Sequence, residues 1–390
     1  MDFIKSIGLY FTFEFYFVLA LISLLLLIQV IYYLVVYLKP YKYEKKRVKE
    51  AHSISDLAPV SVVIASKNES ESLIKNLPAI LEQDYPNFEV VVVNMGSTDE
   101  TDMTLKELGL KYPNLYHTFV PSGAEDVNNK KLALTIGIKA AKNDNLLFTE
   151  PYCKPTSNKW IEEFAIAFAD NKEIVLGYNK INIKHDFAMS GFVKYDNLIH
   201  HTKFLSMAIM GKPFMGIGRN LAYKKSMFFE EKGFSSVLLF DDGEDDLFIN
   251  SVASNRKVGV VVSSDSVTQT DTVDSFKVWK SLKSKYLNGK KFYKGSSSFV
   301  FWLDLATRNV FYLAVVLSIV YGFLVSNFAI VSLAVIAFVI HLSVSLFVIN
   351  KLNGLFGNTK IHLNLMWYEF LYQLNNFRFK NKAKIRKRKR

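Results

Sequence analysis

Five acids crowd into a short stretch of this chain, Asp241, Asp242, Glu244, Asp245 and Asp246, ahead of an apolar segment at Leu247–Ala253. Carboxylates packed this closely raise some of one another's pKa values, and a raised carboxylate is a competent base for a nearby hydroxyl. Asp245 is the expected base. Glu244 is the alternative, because the register is ambiguous by one residue, and Asp246 completes the set. Without any chemistry, the same run reads as a solvated acidic turn capping the helix behind it. A further acid, Glu150, ends the apolar stretch Leu146–Thr149 and is followed by Pro151, Tyr152, Cys153, Lys154 and Pro155. Such a strand end is where open α/β sheets bind ligands. Glu150 can give one oxygen to Mg2+ or Mn2+, whereas Tyr152, with a free pKa of about 10, stays neutral there. Lys130 and Lys131 are the alternative source of positive charge. The plain reading of Glu150 is an exposed strand-end carboxylate.

The elements that must position these groups alternate. Val60–Ala65 and Leu146–Thr149 read as buried strands, Phe88–Val93 as an apolar strand and Leu115–Val120 as a further strand, separated by helical spacing at 70–83, 102–110 and 130–142. Strands alternating with helices imply parallel crossovers, and uniformly apolar strands imply a sheet covered on both faces. The predicted fold is therefore α/β, with a mainly parallel sheet and flanking helices. Later signals are less regular, with helices expected at 160–169, 190–210 and 279–287, and an amphipathic helix at 363–379 lying on a membrane.

Half of the 390 residues are apolar, and the excess is concentrated. Phe15–Leu38 is long enough to span a bilayer, and Val310–Val325 and Phe328–Ile349 form a second and third span around a turn at Ser326-Asn327. The first run is too long for the core of a secretory signal, and no small-residue cleavage site follows it. Much of the net charge of +12 flanks these runs, at Lys39–Lys49 and Lys380–Arg390. Basic flanks stay cytoplasmic and favour anionic lipid, so the topology is N-terminus outside, an outer hairpin near Asn327, and a cytoplasmic middle and tail. No base-reading module accompanies the basic tail, so a nucleic-acid partner is not expected. The single cysteine, Cys153, excludes an intramolecular disulfide and fits a reducing compartment. His200 and His201 have no partner at zinc-ligand spacing. The expected organisation is a transmembrane helix at 1–38, a basic linker at 39–58, a cytoplasmic domain at 59–297, two transmembrane helices at 298–352, and an amphipathic, basic tail at 353–390.

From about Pro59 to Lys294 the chain resembles a membrane-anchored family 2 glycosyltransferase with the GT-A fold. The resemblance rests on an ordered series: Val62–Glu69, Asp84–Val90, Asn94–Thr101, Lys130–Leu134, Thr149–Pro155, Gly216–Tyr223 and Gly243–Leu247. It implies that Ala65, Lys67, Glu69 and Asn94 hold the nucleotide and that Lys130 and Lys131 face its diphosphate. Glu150 would be the metal ligand in a weakened Mg2+ or Mn2+ site. Arg219 and Asn220 would face the diphosphate or acceptor, although their Gly-rich segment also reads as a structural turn. The acid cluster would carry the catalytic base. The chain departs from the family where Met95 and Tyr152 stand in place of acids. Leu282, Lys285 and Tyr286 occupy a Gln, Arg and Trp pattern, and Lys285 keeps the charge but not the fork of Arg. Trp279 reads as packing.

The resemblance implies an inverting, hexosyltransferase-like enzyme in the inner membrane. It would pass a sugar from a nucleotide-sugar donor to a lipid-linked or polysaccharide acceptor in cell-envelope glycan synthesis, in contact with membrane lipids. The competing reading is a pseudo-glycosyltransferase that kept the frame as a membrane scaffold or regulator.

Overall fold

A computed structural model describes residues 10–50, 57–121, 129–183, 187, 189–271, 273–295 and 297–380. The first apolar run is helix α1 (Phe13–Ile31), which passes through a π-helical segment, Tyr32–Tyr37, into α2 (Lys39–Glu50). The stretch expected as a linker is thus helical over its first part. Arg47 explains why: it pairs with Glu44 one turn earlier and with Glu163 of the domain, each at 2.9 Å, so the polar helix is docked. Residues 51–56 of that linker, and the basic tail from residue 381, lie outside the described residues.

The domain begins with β1 (Val60–Ser66), α3 (Ser70–Leu81), β2 (Phe88–Asn94), α4 (Thr101–Lys111), β3 (Leu115–Phe119), α5 (Asn129–Ala140) and β4 (Asn145–Phe148). After a turn come β5 (Cys153–Pro155), α6 (Trp160–Ala169), β6 (Ile174–Leu176), β7 (Asn179–Ile181), α7 (Ser190–Ile209), β8 (Leu221–Lys224) and α8 (Lys225–Glu230). Then follow α9 (Asp246–Val252), β9 (Val258–Val260), β10 (Thr268–Thr270) and α10 (Phe276–Gly289). Seven strands form one sheet in the order β3-β2-β1-β4-β8-β6-β9, and β5, β10 and β7 form a second, small sheet. In the large sheet β8 runs against both its neighbours, and the other pairings are parallel.

All of β1 is buried, as a strand covered on both faces must be. Its alternate side chains feed two cores. Val62 and Ile64 meet Leu73, Leu77, Trp160 and Phe164 under α3 and α6. Val63 and Ala65 meet Ala133 and Ile138 of α5, in a core that continues through α7 to Tyr33, Tyr37 and Phe356 near the apolar helices. The sheet and the membrane-proximal helices therefore share packing. Helix α5 lies close against the sheet at Gly137, where a Cβ would come 2.7 Å from Val63 Cγ1.

The chain ends in α11 (Ser297–Leu324), α12 (Phe328–Leu355) and α13 (Leu365–Lys380). Three helices, Phe13–Lys49, Phe299–Leu324 and Phe328–Leu355, are long and apolar enough to cross a membrane. Helix α11 starts well before the apolar run at Val310 and takes in Asp304 and Arg308. These charges are tolerated because they satisfy one another: Arg308 Nη2 donates to Asp304 Oδ1 at 2.8 Å, and Tyr37 donates to Asp304 Oδ2 at 2.6 Å. Tyr33 and Tyr312 both donate to Glu369, which fastens one face of α13 to the bundle. Trp367 and Phe370 of α13 point outward.

Candidate active site

The C-terminal ends of β1 and β4 open on a pocket lined by Ala65, Lys130, Phe148, Thr149, Glu150, Gly218, Glu244 and Asp245. Residues far apart in sequence are brought together here by four devices. Glu150 leaves β4 in a turn closed by the Cys153 N–H on its carbonyl at 2.9 Å, and Asn76 of α3 donates to the Pro151 carbonyl at 3.1 Å. Lys130 enters from the first turn of α5. Gly218 sits in the loop before β8, where an added Cβ would lie 3.5 Å from Asp245 Oδ2 and 3.7 Å from Glu150 Oε1. Lys285 reaches in from α10.

Lys130 Nζ lies 2.5 Å from Glu150 Oε1 and 3.0 Å from Glu244 Oε1. Lys285 Nζ lies 2.9 Å from the same Glu244 oxygen and 4.0 Å from Asp245 Oδ1. Burial works against the charge on Lys130, but Glu150 and Glu244 outweigh it and hold the ammonium above its ordinary pKa. Burial likewise penalises the charge on Glu244; Lys285 and Lys130 reverse that and hold it well below the usual carboxylate range. Asp246 goes the other way. Burial, then the neighbouring Asp245 carboxylate, push it up to about 8. Its Oδ2 accepts from the Tyr293 hydroxyl at 2.7 Å and its Oδ1 from the Leu247 N–H at 2.8 Å.

Asp245 is held by main-chain donors: the Gly218 N–H reaches Oδ2 at 3.0 Å and the Asp246 N–H reaches Oδ1 at 2.9 Å. Each carboxylate oxygen keeps a lone pair for a further partner. Of the three acids expected to include a base, Glu244 is bound by two ammonium groups and Asp246 is turned onto Tyr293. Asp245 lines the pocket with only main-chain donors in close contact.

Other expected site residues divide. Lys131 does not face the pocket; it donates to the carbonyls of Phe240 and Asp242 at 2.6 and 2.9 Å and so braces the acidic loop. Asn220 is a correction. Its amide donates to the carbonyls of Tyr178 and Ser266, each at 2.8 Å, and accepts from Trp160 Nε1 at 2.9 Å, so it is a buried structural crosslink. Arg219 is 4% exposed, with Nε and Nη1 lacking a hydrogen-bond partner among the described residues. Tyr286 makes a side-chain hydrogen bond to its guanidinium, and Tyr152 is close enough to act on its charge.

Beyond Ala65, the loops that follow β1 and β2 are knitted together. The Thr98 N–H donates to Asn68 Oδ1 at 2.8 Å and the Ser97 N–H to Asn94 Oδ1 at 2.9 Å. Asn68 adopts φ 54°, a conformation asparagine tolerates better than most residues. Lys67 is exposed and Glu69 half-buried, with burial raising the Glu69 carboxyl and Glu150 and Asp99 adding to it against Ser72. Met95 packs against the core. His201 is buried and His200 partly so, and desolvation first, with nearby cations adding to it, lowers His200 to about 3.

These residues do not fit a resident divalent cation. Glu150 is a single carboxylate whose Oε1 already carries an ammonium, and the position two residues on is a phenol. Burial, with Glu150 adding to it, holds that Tyr152 hydroxyl well above its ordinary pKa. Among the described residues, no three His, Cys, Asp or Glu side chains converge in a set that could hold a metal ion. Sequence reasoning missed Tyr293, Asn76 and the Gly218 N–H. The first two are ordinary side chains far in sequence from the groups they serve; the third is main chain, and its signal was the Gly-rich segment Gly216–Tyr223.

Residues 61–229 match the family model for glycosyl transferase family 2. Glycosyltransferase AglE of Haloferax volcanii is 32% identical over 110 residues, 28% of this chain and 34% of that protein. The chain thus spans about a third of the length of the curated relative it matches. Among solved structures, the mannosyltransferase PcManGT from Pyrobaculum calidifontis, in complex with GDP-Man and Mn2+, superposes with a TM-score of 0.51. The match has 16% identity and covers 92% of this chain and 99% of that one, a likeness of fold. The strand order and the pocket at the strand ends agree with these likenesses: residues 61–229 are similar to glycosyl transferase family 2, and the fold is like that of the solved mannosyltransferase.

Proposed function

We propose that the pocket transfers a sugar from a nucleoside-diphosphate donor to an acceptor hydroxyl, with inversion at the anomeric carbon. The observation that carries this reading is Asp245, fixed by two main-chain N–H groups in a pocket that it shares with Lys130, Glu150 and Glu244. The acceptor hydroxyl gives its proton to Asp245 while its oxygen bonds to the anomeric carbon. The bond from that carbon to the β-phosphate oxygen breaks, and its electron pair leaves with the nucleoside diphosphate. Attack from the face opposite the leaving group inverts the centre. Ala65, Lys67, Glu69 and Asn94 border the nucleotide side, and Lys130 and Lys285 stand on the diphosphate side.

Three apolar helices with basic flanks support a multi-pass protein of the inner membrane with the domain in the cytoplasm. A domain whose core is continuous with the apolar helices suits a lipid-linked or growing polysaccharide acceptor of the cell envelope. A pseudo-glycosyltransferase acting as a scaffold is the second reading, favoured by Tyr152 in place of an acid. The test is release of nucleoside diphosphate from a panel of UDP- and GDP-sugars by the full-length protein, with membrane lipid extract as acceptor source. Release dependent on the extract supports transfer. Tight nucleotide binding without release from any donor supports the scaffold.

A further inference from the structure

Arg219 presents an unusual charge state of affairs. Lys130 and Lys285 are matched by Glu150 and Glu244 through contacts of 2.5 to 3.0 Å. Arg219 is nearly as enclosed as those acids, yet no carboxylate is paired with it among the described residues, and two of its guanidinium nitrogens lack partners. A buried cation without a counter-ion is costly unless an anion completes it. Its neighbours are phenols, Tyr152 and Tyr286, which can donate to an anion but do not neutralise the guanidinium. Tyr152 lies two residues after Glu150 on the turn at the pocket wall, and Tyr286 is adjacent to Lys285, so the two phenols beside Arg219 belong to the segments that carry Glu150 and Lys285.

The same residues oppose a divalent ion. A cation set against Glu150 would meet the Lys130 ammonium on the same oxygen, and Tyr152 offers it no second charge. We propose that Arg219 and Lys130 take the place of a divalent metal and hold the donor's diphosphate directly. The planar fork of Arg219 matches two phosphate oxygens, and Lys130 has an N–H left over after its two carboxylates. Tyr152 and Tyr286 turn their hydroxyls to the phosphate as it enters. This rests on the glycosyl-transfer reading and specifies how its leaving group is held.

The test is isothermal titration of the full-length protein in detergent with UDP, GDP and inorganic pyrophosphate, first in EDTA and then in Mn2+. At least one nucleotide and pyrophosphate should bind in EDTA, and Mn2+ should change their Kd by less than about threefold, under 1 kcal/mol. Arg219→Gln should weaken pyrophosphate by about tenfold or more, and Arg219→Lys should recover only part of that, because charge returns without the fork. Should Arg219→Gln fail to fold, Tyr152→Asp serves in its place and should make binding depend on Mn2+. Nucleotide binding absent in EDTA and restored by Mn2+ would overturn the metal-free site while leaving glycosyl transfer standing. No binding of any nucleotide under either condition would overturn both.

Discussion

Lys285 Nζ lies 2.9 Å from Glu244 Oε1, and this contact ties the last helix before the apolar pair to the acidic loop. Lys130 reaches the same oxygen at 3.0 Å, so one carboxylate joins α5, the acidic loop and α10. Removing one partner of a buried ion pair leaves an uncompensated charge, which costs about 3–5 kcal/mol. Glu244→Gln should therefore lower stability by about that much, read as a drop in denaturation midpoint in detergent. Its pH dependence has a definite sign. A carboxyl held below its ordinary pKa stabilises the fold above that ordinary value and loses the contribution as pH falls through the folded value. Wild type should lose stability on acidification below the usual carboxylate range, and Glu244→Gln should lose less.

Asp246 predicts the reverse slope. Its folded pKa is raised to about 8, so the folded state holds a proton that the unfolded chain has released, and the contribution is lost as pH rises towards about 8. Asp246→Asn cannot ionise. The melting temperature of Asp246→Asn relative to wild type should climb between about pH 5 and pH 8 and level off above. A difference that stays flat across that range would remove the raised carboxyl from the account.

Gly137 permits the close approach of α5 to the sheet. A Cβ there would fall 2.7 Å from Val63 Cγ1 and 3.1 Å from Val93 Cγ2, both on fully buried strand residues with little room to move. Helix propensity favours Ala over Gly by about 1 kcal/mol, whereas overpacking a core costs about 1–3 kcal/mol. Gly137→Ala should be net destabilising by up to about 2 kcal/mol in urea titration, against its propensity. Because α5 carries Lys130, nucleotide affinity should fall in the same variant.

The parts of the fold legible in the sequence were those written locally. Four strands with helices between them, three of them apolar and Leu115–Phe119 the partly exposed edge, identify the parallel half of the sheet, and Glu150 at the end of Leu146–Thr149 falls on the pocket wall. The acid cluster was legible as a group, but its division of labour was not. Whether Glu244, Asp245 or Asp246 faces Lys285, Gly218 or Tyr293 depends on contacts across tens of residues. Lys130 and Lys131 read alike as a pair, and only helix phase separates the pocket-facing one from the one bracing Phe240 and Asp242. Asn220 looked like a ligand-facing residue in a Gly-rich turn because its partners, Trp160, Tyr178 and Ser266, lie on three other segments. The helical pair starts at Ser297, next to the expected bound at 298, while the uninterrupted apolar run begins only at Val310; the stretch between holds Asp304 and Arg308, which pair with each other and with Tyr37.

The central claim is that Asp245 takes the acceptor proton in a glycosyl-transfer site, and single-turnover rates of Asp245→Asn and wild type test it most directly. With the productive donor, Asp245→Asn should lose about 10²–10⁴-fold in sugar transfer, the usual range for removing a general base. The asparagine oxygen can still accept one of the two main-chain N–H groups, so nucleoside diphosphate affinity should stay within about twofold. A variant that transfers sugar at the wild-type rate, or that loses nucleotide affinity in step with rate, would contradict the assignment.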